Sequence, residues 1–405
     1  MDIKITPLRL NGTVNAAASK SYAHRNLIAA FLSGGPVNVR INQLSEDIHS
    51  TISCLRAMGA TVDVDGDTVT VGAGGLSKDP VLDCNESGTA ARFLLGVGAY
   101  LFDNFKLTGK GSLLPRPFSP LCEELEKHGC RFDSYKLPMN VKGRLTPGDF
   151  YFSGDISSQF ISGLMFVLPL LGADSRIVIT SPLQSAAYVD MTADVLSYFY
   201  IKICKSEDGF FLRGNQKYKK VTKIETEGDW SNSAAFLCMN ALGCEINISG
   251  LNENSVQGDR AIIDIVKKLK ALDDIVIDAS QIPDLVPVIA SAASVGKRQT
   301  RIINAQRLRI KESDRLASTQ AALSALGADI EITGDGLVIN GKDRLTGGVC
   351  ESHNDHRIVM AAAVMSCACE YPVIIRGAQA INKSYPSFFE DFKSIGGKAD
   401  VVSDR

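Results

Sequence analysis

Leu323-Ser-Ala-Leu-Gly-Ala-Asp-Ile-Glu-Ile332 passes through Gly334-Asp-Gly336 into Leu337-Val-Ile339. Leu55-Arg-Ala-Met-Gly-Ala-Thr-Val-Asp-Val64 passes in the same way through Asp65-Gly66 into Thr68-Val-Thr-Val71. Both stretches predict the end of an amphipathic helix, a glycine C-cap, a strand of alternating polarity, a tight turn and a second alternating strand. Leu121–Phe132 and Phe388–Val402 carry the pattern more weakly. Upstream of these lie Ala-rich helical segments that open on small polar residues. They are Ser19–Leu32, Ser87–Tyr100, Ser157–Leu170, Ser231–Leu242, Asp284–Val295 and Asp355–Cys367. Segments apolar all round, such as Ala234-Ala-Phe-Leu-Cys-Met-Asn-Ala-Leu242, cannot face water, so the strands belong outside them.

Six such openings in 405 residues imply internal duplication. A unit of roughly one-sixth of the chain suits a βαβαββ module and is too long for a short solenoid repeat. Three units make one domain, 13–226, and three make the other, 1–12 with 227–405. The crossing falls near Glu225–Asp229, and Gly12–Ala18 is the matching strand.

Composition restricts the function classes. Forty-five percent of residues are apolar, ample for two cores, and the formal net charge is −2. A general nucleic-acid binder would carry a broad basic excess, so any anion binding is local. The ten cysteines form no CxxC pair and no zinc spacing, and Cys367-Ala-Cys369 sits among small apolar residues as core. Met1-Asp-Ile-Lys4 has no charged-then-apolar signal, and no uninterrupted apolar run reaches membrane-spanning length. A cytoplasmic protein of a reducing compartment is expected, with no metal and no organic cofactor.

Ligand-type residues collect at the starts of the repeats. Arg307-Leu-Arg-Ile-Lys-Glu-Ser-Asp-Arg315 places four cations and two carboxylates before a helix that Ser313 or Asp314 would cap. Free N–H groups and the dipole at such a helix start favour an anion. Lys20 and Arg25 accompany the hydroxyl of Ser21, and Arg92 follows Ser87-Gly88-Thr89. Arg116 sits between two prolines. Ser157, Ser158 and Gln159 offer neutral hydrogen bonds, as do Ser185 and Tyr188. Asp284 follows Pro283, Arg357 follows Asn354-Asp-His, and Lys383 opens Lys-Ser-Tyr-Pro386. Singly, each has a plain alternative: a helix cap, an i,i+4 ion pair worth a few tenths of a kcal/mol, or an oriented structural histidine at His356. Their recurrence at all six starts favours a function.

Together, in this order, these motifs resemble the enolpyruvyl transferases, and within them 5-enolpyruvylshikimate-3-phosphate synthase, from about Ser19 to Phe389. The resemblance implies a two-domain inside-out α/β barrel of six βαβαββ units, three per domain. The active site would lie in the cleft between domains that close on the substrates. It implies transfer of the enolpyruvyl group of phosphoenolpyruvate to the 5-hydroxyl of shikimate-3-phosphate, with release of phosphate. Lys20, Ser21, Arg25, Ser157, Ser158, Ser185, Tyr188, Asp284 and Lys311 would hold shikimate-3-phosphate. Lys20, Gly88, Arg116, Gln159, Arg315, Arg357 and Lys383 would hold phosphoenolpyruvate, with Arg92 beside them. Asp284 would be the base at the hydroxyl, and Glu312 with Lys20 the proton shuttle at the methylene carbon. The partners are these two small molecules, with no nucleic acid and no membrane, and a monomer is expected.

Charge supports the assignment. The two substrates bring roughly five to six negative charges, and eight cations less Asp284 and Glu312 leave about six positive ones. Glu86 departs from the family's Asn before Ala/Ser-Gly-Thr, and Ala16-Ala-Ala18 replaces its Pro-Gly. Gly88 is retained, so glyphosate, the family's inhibitor, is expected to act. The UDP-N-acetylglucosamine enolpyruvyltransferase is the nearest alternative, but no cysteine occupies the Arg116 loop where that family places one. A non-catalytic anion-binding relative is the other, and it would have no use for Asp284 and Glu312.

Overall fold

The structure is a computed structural model and describes residues 1–271 and 273–403. It divides into two compact units, one of Lys20–Thr226 and a discontinuous one of Met1–Ser19 with Glu227–Arg405. Five four-stranded sheets and one two-stranded sheet are present among the described residues. Each four-stranded sheet has a parallel pair followed by two antiparallel neighbours. In one, Asp149–Phe152 runs parallel to Ser175–Ile179, which pairs antiparallel with Gly209–Leu212 and then Cys204–Ser206. This is the βαβαββ order.

Two sheets are completed from far along the chain. Lys223–Glu225 lies parallel to Val37–Arg40, and Asp2–Thr6 inserts between Val373–Arg376 and Lys398–Ser403. The remaining unit is shorter than the sequence pattern predicts. Among the described residues Glu245–Ser249 pairs only with Asn11–Asn15, and no hairpin follows. The reason is length, because five residues separate the Ile262–Leu269 helix from the Ile275–Asp278 strand. The same pairing corrects the expected boundary at residue 13. Asn11–Asn15 adds to a strand of the discontinuous unit, so 13–19 group there.

One kind of helix terminus precedes an edge strand in each of the five four-stranded sheets. Ala60, Cys130, Ile201, Ala328 and Gly397 each donate an N–H to the carbonyl five residues back, on Leu55, Leu125, Leu196, Leu323 and Phe392. The residue before each donor has positive φ: Gly59, Gly129, Tyr200, Gly327 and Gly396. This is the Schellman closure, which satisfies carbonyls the helix leaves open. Tyr200, at φ 63°, bears the steric cost that glycine avoids at the other four.

Buried helices fill the middle of each unit. Strands such as Val37–Arg40 alternate buried and exposed residues, so they cover the helices with one face and meet water with the other. Lys20–Ser33, Gly88–Leu101 and Ser158–Met165 serve Lys20–Thr226. Close backbone approach explains Gly163, where a Cβ would stand 2.7 Å from the Arg92 carbonyl. In the discontinuous unit Trp230–Ala241, Val286–Ala293 and His356–Ser366 are buried, and the Ser291 hydroxyl donates to the Ala361 carbonyl at 2.8 Å. Two predicted helices are cut by proline. The Ser158–Met165 helix stops ahead of a 3-10 turn containing Pro169, and Pro283–Leu285 is a 3-10 turn before the helix at Val286. No helix among the described residues is long and apolar enough to cross a membrane.

Candidate active site

In the unit Lys20–Thr226, the small polar openings sit at helix N-termini. The Ser87 hydroxyl accepts from Ala90 N–H and that of Ser157 from Gln159 N–H, both at 3.3 Å. Lys20 and Ser21 begin their helix, and the Lys20 ammonium lies 2.9 Å from Asp47 with both side chains mostly buried. One turn on, His24 Nδ1 meets Thr51 Oγ1 at 2.7 Å between the same two helices. Burial, then Lys20 and Arg25, keep His24 neutral by holding its pKa well below the ordinary value.

Arg25 is 1% exposed and bonds only neutral oxygens. It donates to Thr192 Oγ1 at 2.8 Å and to the Ser21 and Tyr188 carbonyls at 2.7 Å. Burial brings its pKa down to about 10. Arg25 thus ties together Ser21 and Tyr188, two residues that the family resemblance leads us to expect at the same substrate. Ser185, buried and at φ 55°, precedes the Ala186–Tyr198 helix that carries Tyr188.

Gly88, Arg116, Arg92 and Gln159 form a second group. A Cβ on Gly88 would stand 2.3 Å from Arg116 Nη1 and 2.7 Å from its Cζ, so the buried guanidinium rests against bare backbone. Arg92 donates to Gln159 Oε1 at 2.6 Å, and Gln159 Nε2 donates to Thr89 Oγ1 at 2.8 Å. Phe118 and Phe160 present their rings to the Arg92 guanidinium at 5.7 and 5.5 Å. Ser158 is buried at the start of its helix. Glu86 turns toward Ser112, whose N–H it accepts at 3.3 Å.

In the discontinuous unit, Arg315 is the hub. Its Nε donates to Asp355 Oδ2 at 2.9 Å and its Nη1 to Asp284 Oδ1 at 2.8 Å. Nη2 donates to Asp355 Oδ1 at 3.2 Å and also to Glu312. Burial opposes a charge here, but Asp355, Glu312 and Asp284 overcome it and raise the Arg315 pKa above its ordinary value. Lys311 joins at 3.3 Å from the same Asp284 oxygen, and burial lowers its pKa despite that carboxylate. As predicted, Asp314 caps the Arg315–Ala325 helix, accepting from Ala317 N–H at 3.2 Å. Ser313 instead donates to Asp355 at 3.1 Å.

Arg357 and Lys383 are oriented by backbone carbonyls. Arg357 Nη1 donates to Ser231 O at 2.9 Å, and Lys383 Nζ to Asn354 O at 2.8 Å. Arg357 Nε is buried with no protein acceptor. Asp259, also buried, is pushed up to about 6 by burial first and then by Asp284 and Asp229, against Ser231 and Arg357.

Several partners escaped the sequence. Asp47 looks like an ordinary first-turn acid after the Ser45 cap, and Asp355 like a simple cap. Each in fact neutralises a cation. Counting them reduces the expected positive excess from about six to about four. Asp259 carried one signal, a Gly-Asp-Arg run just ahead of an apolar helix. Among the described residues no group of three or more His, Cys, Asp or Glu is placed to hold a metal ion.

Comparison with known proteins bears on this arrangement. The family model described as EPSP synthase (3-phosphoshikimate 1-carboxyvinyltransferase) matches residues 5–392. The relative named 3-phosphoshikimate 1-carboxyvinyltransferase in Clostridium novyi is 41% identical over 431 aligned positions, covering 99% of each chain. That of Clostridium kluyveri, with the same name, is 42% identical, again over 99% of each. Among solved structures, an EPSP synthase from Acinetobacter baumannii superposes with a TM-score of 0.82 at 22% identity, over 99% of this chain and 100% of that one. That likeness speaks for the fold, and the sequence relatives for the family. With the family model spanning nearly the whole chain and full-length relatives above 40% identity, this chain belongs to the EPSP synthase (3-phosphoshikimate 1-carboxyvinyltransferase) family.

Proposed function

We propose that this chain transfers the enolpyruvyl group of phosphoenolpyruvate to the 5-hydroxyl of shikimate-3-phosphate, releasing phosphate on the route to the aromatic amino acids. The observation that carries this is full-length identity of 41–42% to relatives bearing that enzyme's name. The two residue sets serve these substrates in the following way. Ser21, Arg25, Ser157, Ser158, Ser185, Tyr188 and Lys311 bind shikimate-3-phosphate. Gly88, Arg116, Gln159, Arg315, Arg357 and Lys383 bind phosphoenolpyruvate, with Lys20 reaching both.

Addition requires a proton at the methylene carbon and loss of one from the hydroxyl; elimination then expels phosphate and restores the double bond. Asp284 takes the hydroxyl proton, positioned through Oδ1 by Arg315 and Lys311. Glu312, fixed by the same Arg315, and Lys20 handle the proton at carbon. Cations on the departing phosphate stabilise the charge it gains.

Phosphate release from phosphoenolpyruvate, with and without shikimate-3-phosphate, tests the proposal. Release that requires shikimate-3-phosphate supports it. Tight binding of both ligands without release would make the chain a silent relative, and no binding would sink the proposal.

A further inference from the structure

Gln257 makes four hydrogen bonds with one buried amide. Its Oε1 accepts from the Ser19 hydroxyl at 3.3 Å and from Trp230 N–H at 3.2 Å. Its Nε2 donates to Glu227 Oε1 at 2.7 Å and to the Gly228 carbonyl at 2.8 Å. Two donor hydrogens and two acceptor lone pairs are all an amide has, so every one is used. The orientation is forced as well, since a flipped amide would point N–H groups at the Trp230 N–H.

The partners are placed unusually. The chain passes between its two units after Ser19 and returns before Glu227. Ser19, Glu227 and Gly228 are therefore the residues at which both passages are anchored in the discontinuous unit. The passages also bond each other, Ser19 N–H to Glu227 O and Asp229 N–H to Ala17 O, both at 2.8 Å. Glu227 is held in turn by Asn252 Nδ2 at 2.8 Å and by the Ser255 hydroxyl. Gln257 fastens this crossing from one side, with its own N–H on Ser255 Oγ at 3.1 Å.

Lys20 is the next residue after Ser19. Its ammonium is held by Asp47, while its backbone departs from a residue fixed at both N–H and hydroxyl. We infer that Gln257 is a positioning residue for Lys20: through Ser19 it sets where the Lys20 backbone leaves the crossing, and so where the ammonium can reach. This rests on the proposed role of Lys20 in enolpyruvyl transfer. Gln257 acts through its neighbour and is assigned no contact with substrate. Misplacing a reacting group by about 1 Å can cost on the order of a hundredfold in rate, so a small slip at Ser19 has a large lever.

The test uses the purified full chain and reads kcat, both KM values and the thermal midpoint. The variants are Gln257→Met, Gln257→Glu, and Gln257→Glu combined with Glu227→Gln. Methionine keeps the length and removes all four bonds, and should lower kcat about tenfold or more with both KM values within about threefold. Glutamate sets a second carboxylate against Glu227 and should do worse. The double variant restores one donor–acceptor pair in reversed sense and should recover much of that second loss. If Gln257→Met does not fold, Ser19→Ala removes the hydroxyl that donates to Gln257 and should still lower kcat about threefold. Folded Gln257→Met or Ser19→Ala with unchanged kcat overturns the inference, as does a lower midpoint alone. Wild-type protein that releases no phosphate refutes the proposed function, and the inference with it. Active wild type with Lys20→Met equally active refutes only the role of Lys20 and this inference.

Discussion

Replacing Asp355 with asparagine should cost the discontinuous unit about 3 kcal/mol, and the figure follows from its surroundings. Asp355 and Arg315 are 0% and 1% exposed at their side chains, and they meet through two bonds, at 2.9 and 3.2 Å. Removing one partner of a buried pair costs ~3–5 kcal/mol, because the other charge stays buried. Arg315 keeps Asp284 and Glu312, which argues for the lower end. Asparagine also retains an oxygen for Arg357 N–H, which Asp355 now accepts at 2.9 Å, so the helix cap survives. Asp355→Ala loses that cap too and should cost about 1 kcal/mol more. In a unit of roughly 200 residues each kcal/mol moves the midpoint by about 2–4 °C, so the asparagine variant should melt ~6–12 °C lower. Differential scanning calorimetry resolves this readily, and alanine should fall further than asparagine. A drop under ~2 °C for asparagine would refute the buried-pair reasoning, and equal drops would refute the cap.

Four other outcomes follow from single features. Tyr200→Gly should stabilise the Lys20–Thr226 unit by about 0.5–1 kcal/mol, after loss of the Lys219 contact to its ring at 4.5 Å, as measured by the thermal midpoint. Gly88→Ala meets no positive-φ strain, only Arg116, and should raise the KM for phosphoenolpyruvate with little change in the midpoint. Burial and the neighbouring carboxylates raise the Asp259 pKa from the ordinary 3.8 to about 6, so its protonation favours the fold below pH 4 and that contribution is lost as pH rises through 6. Asp259→Asn should therefore gain on wild type by up to about 3 kcal/mol between pH 4 and pH 7, read from paired melting curves; parallel curves would exclude it. Asp284→Ala should bind both substrates but lose about a hundredfold or more in kcat, and near-normal turnover would remove it from the mechanism.

The helix-glycine-strand-turn pattern at Leu55 and Leu323 was legible because every signal in it is local. Gly59 and Gly327 both take the φ of 104° that a Schellman end requires. Tyr200 conceals the same closure, since nothing in its residue type advertises positive φ. Asn11–Asn15 was hard to place for another reason. Only Val14 in it is buried, and its partner strand lies more than two hundred residues away. Site cations could be read from the chain because they cluster at helix openings. Their carboxylate partners could not, because Arg315 gathers Asp284 and Asp355 from 31 and 40 residues away. That the fourth unit has no hairpin among the described residues was countable in principle, from the short gap between Leu269 and Ile275.

Sheets completed from distant segments set a timetable for synthesis. Val37–Arg40 emerges early but cannot gain its parallel neighbour until Lys223–Glu225 is made. At ~5–20 residues per second that is roughly 10–40 s of waiting. Asp2–Thr6 waits longer still, since Val373–Arg376 and Lys398–Ser403 flank it on both sides. A nascent chain therefore carries unpaired strand edges on the ribosome for tens of seconds, an opening for holdase chaperones and for sticking to other chains. Neither unit can close early, because each contains a sheet that joins strands from the two ends of its sequence.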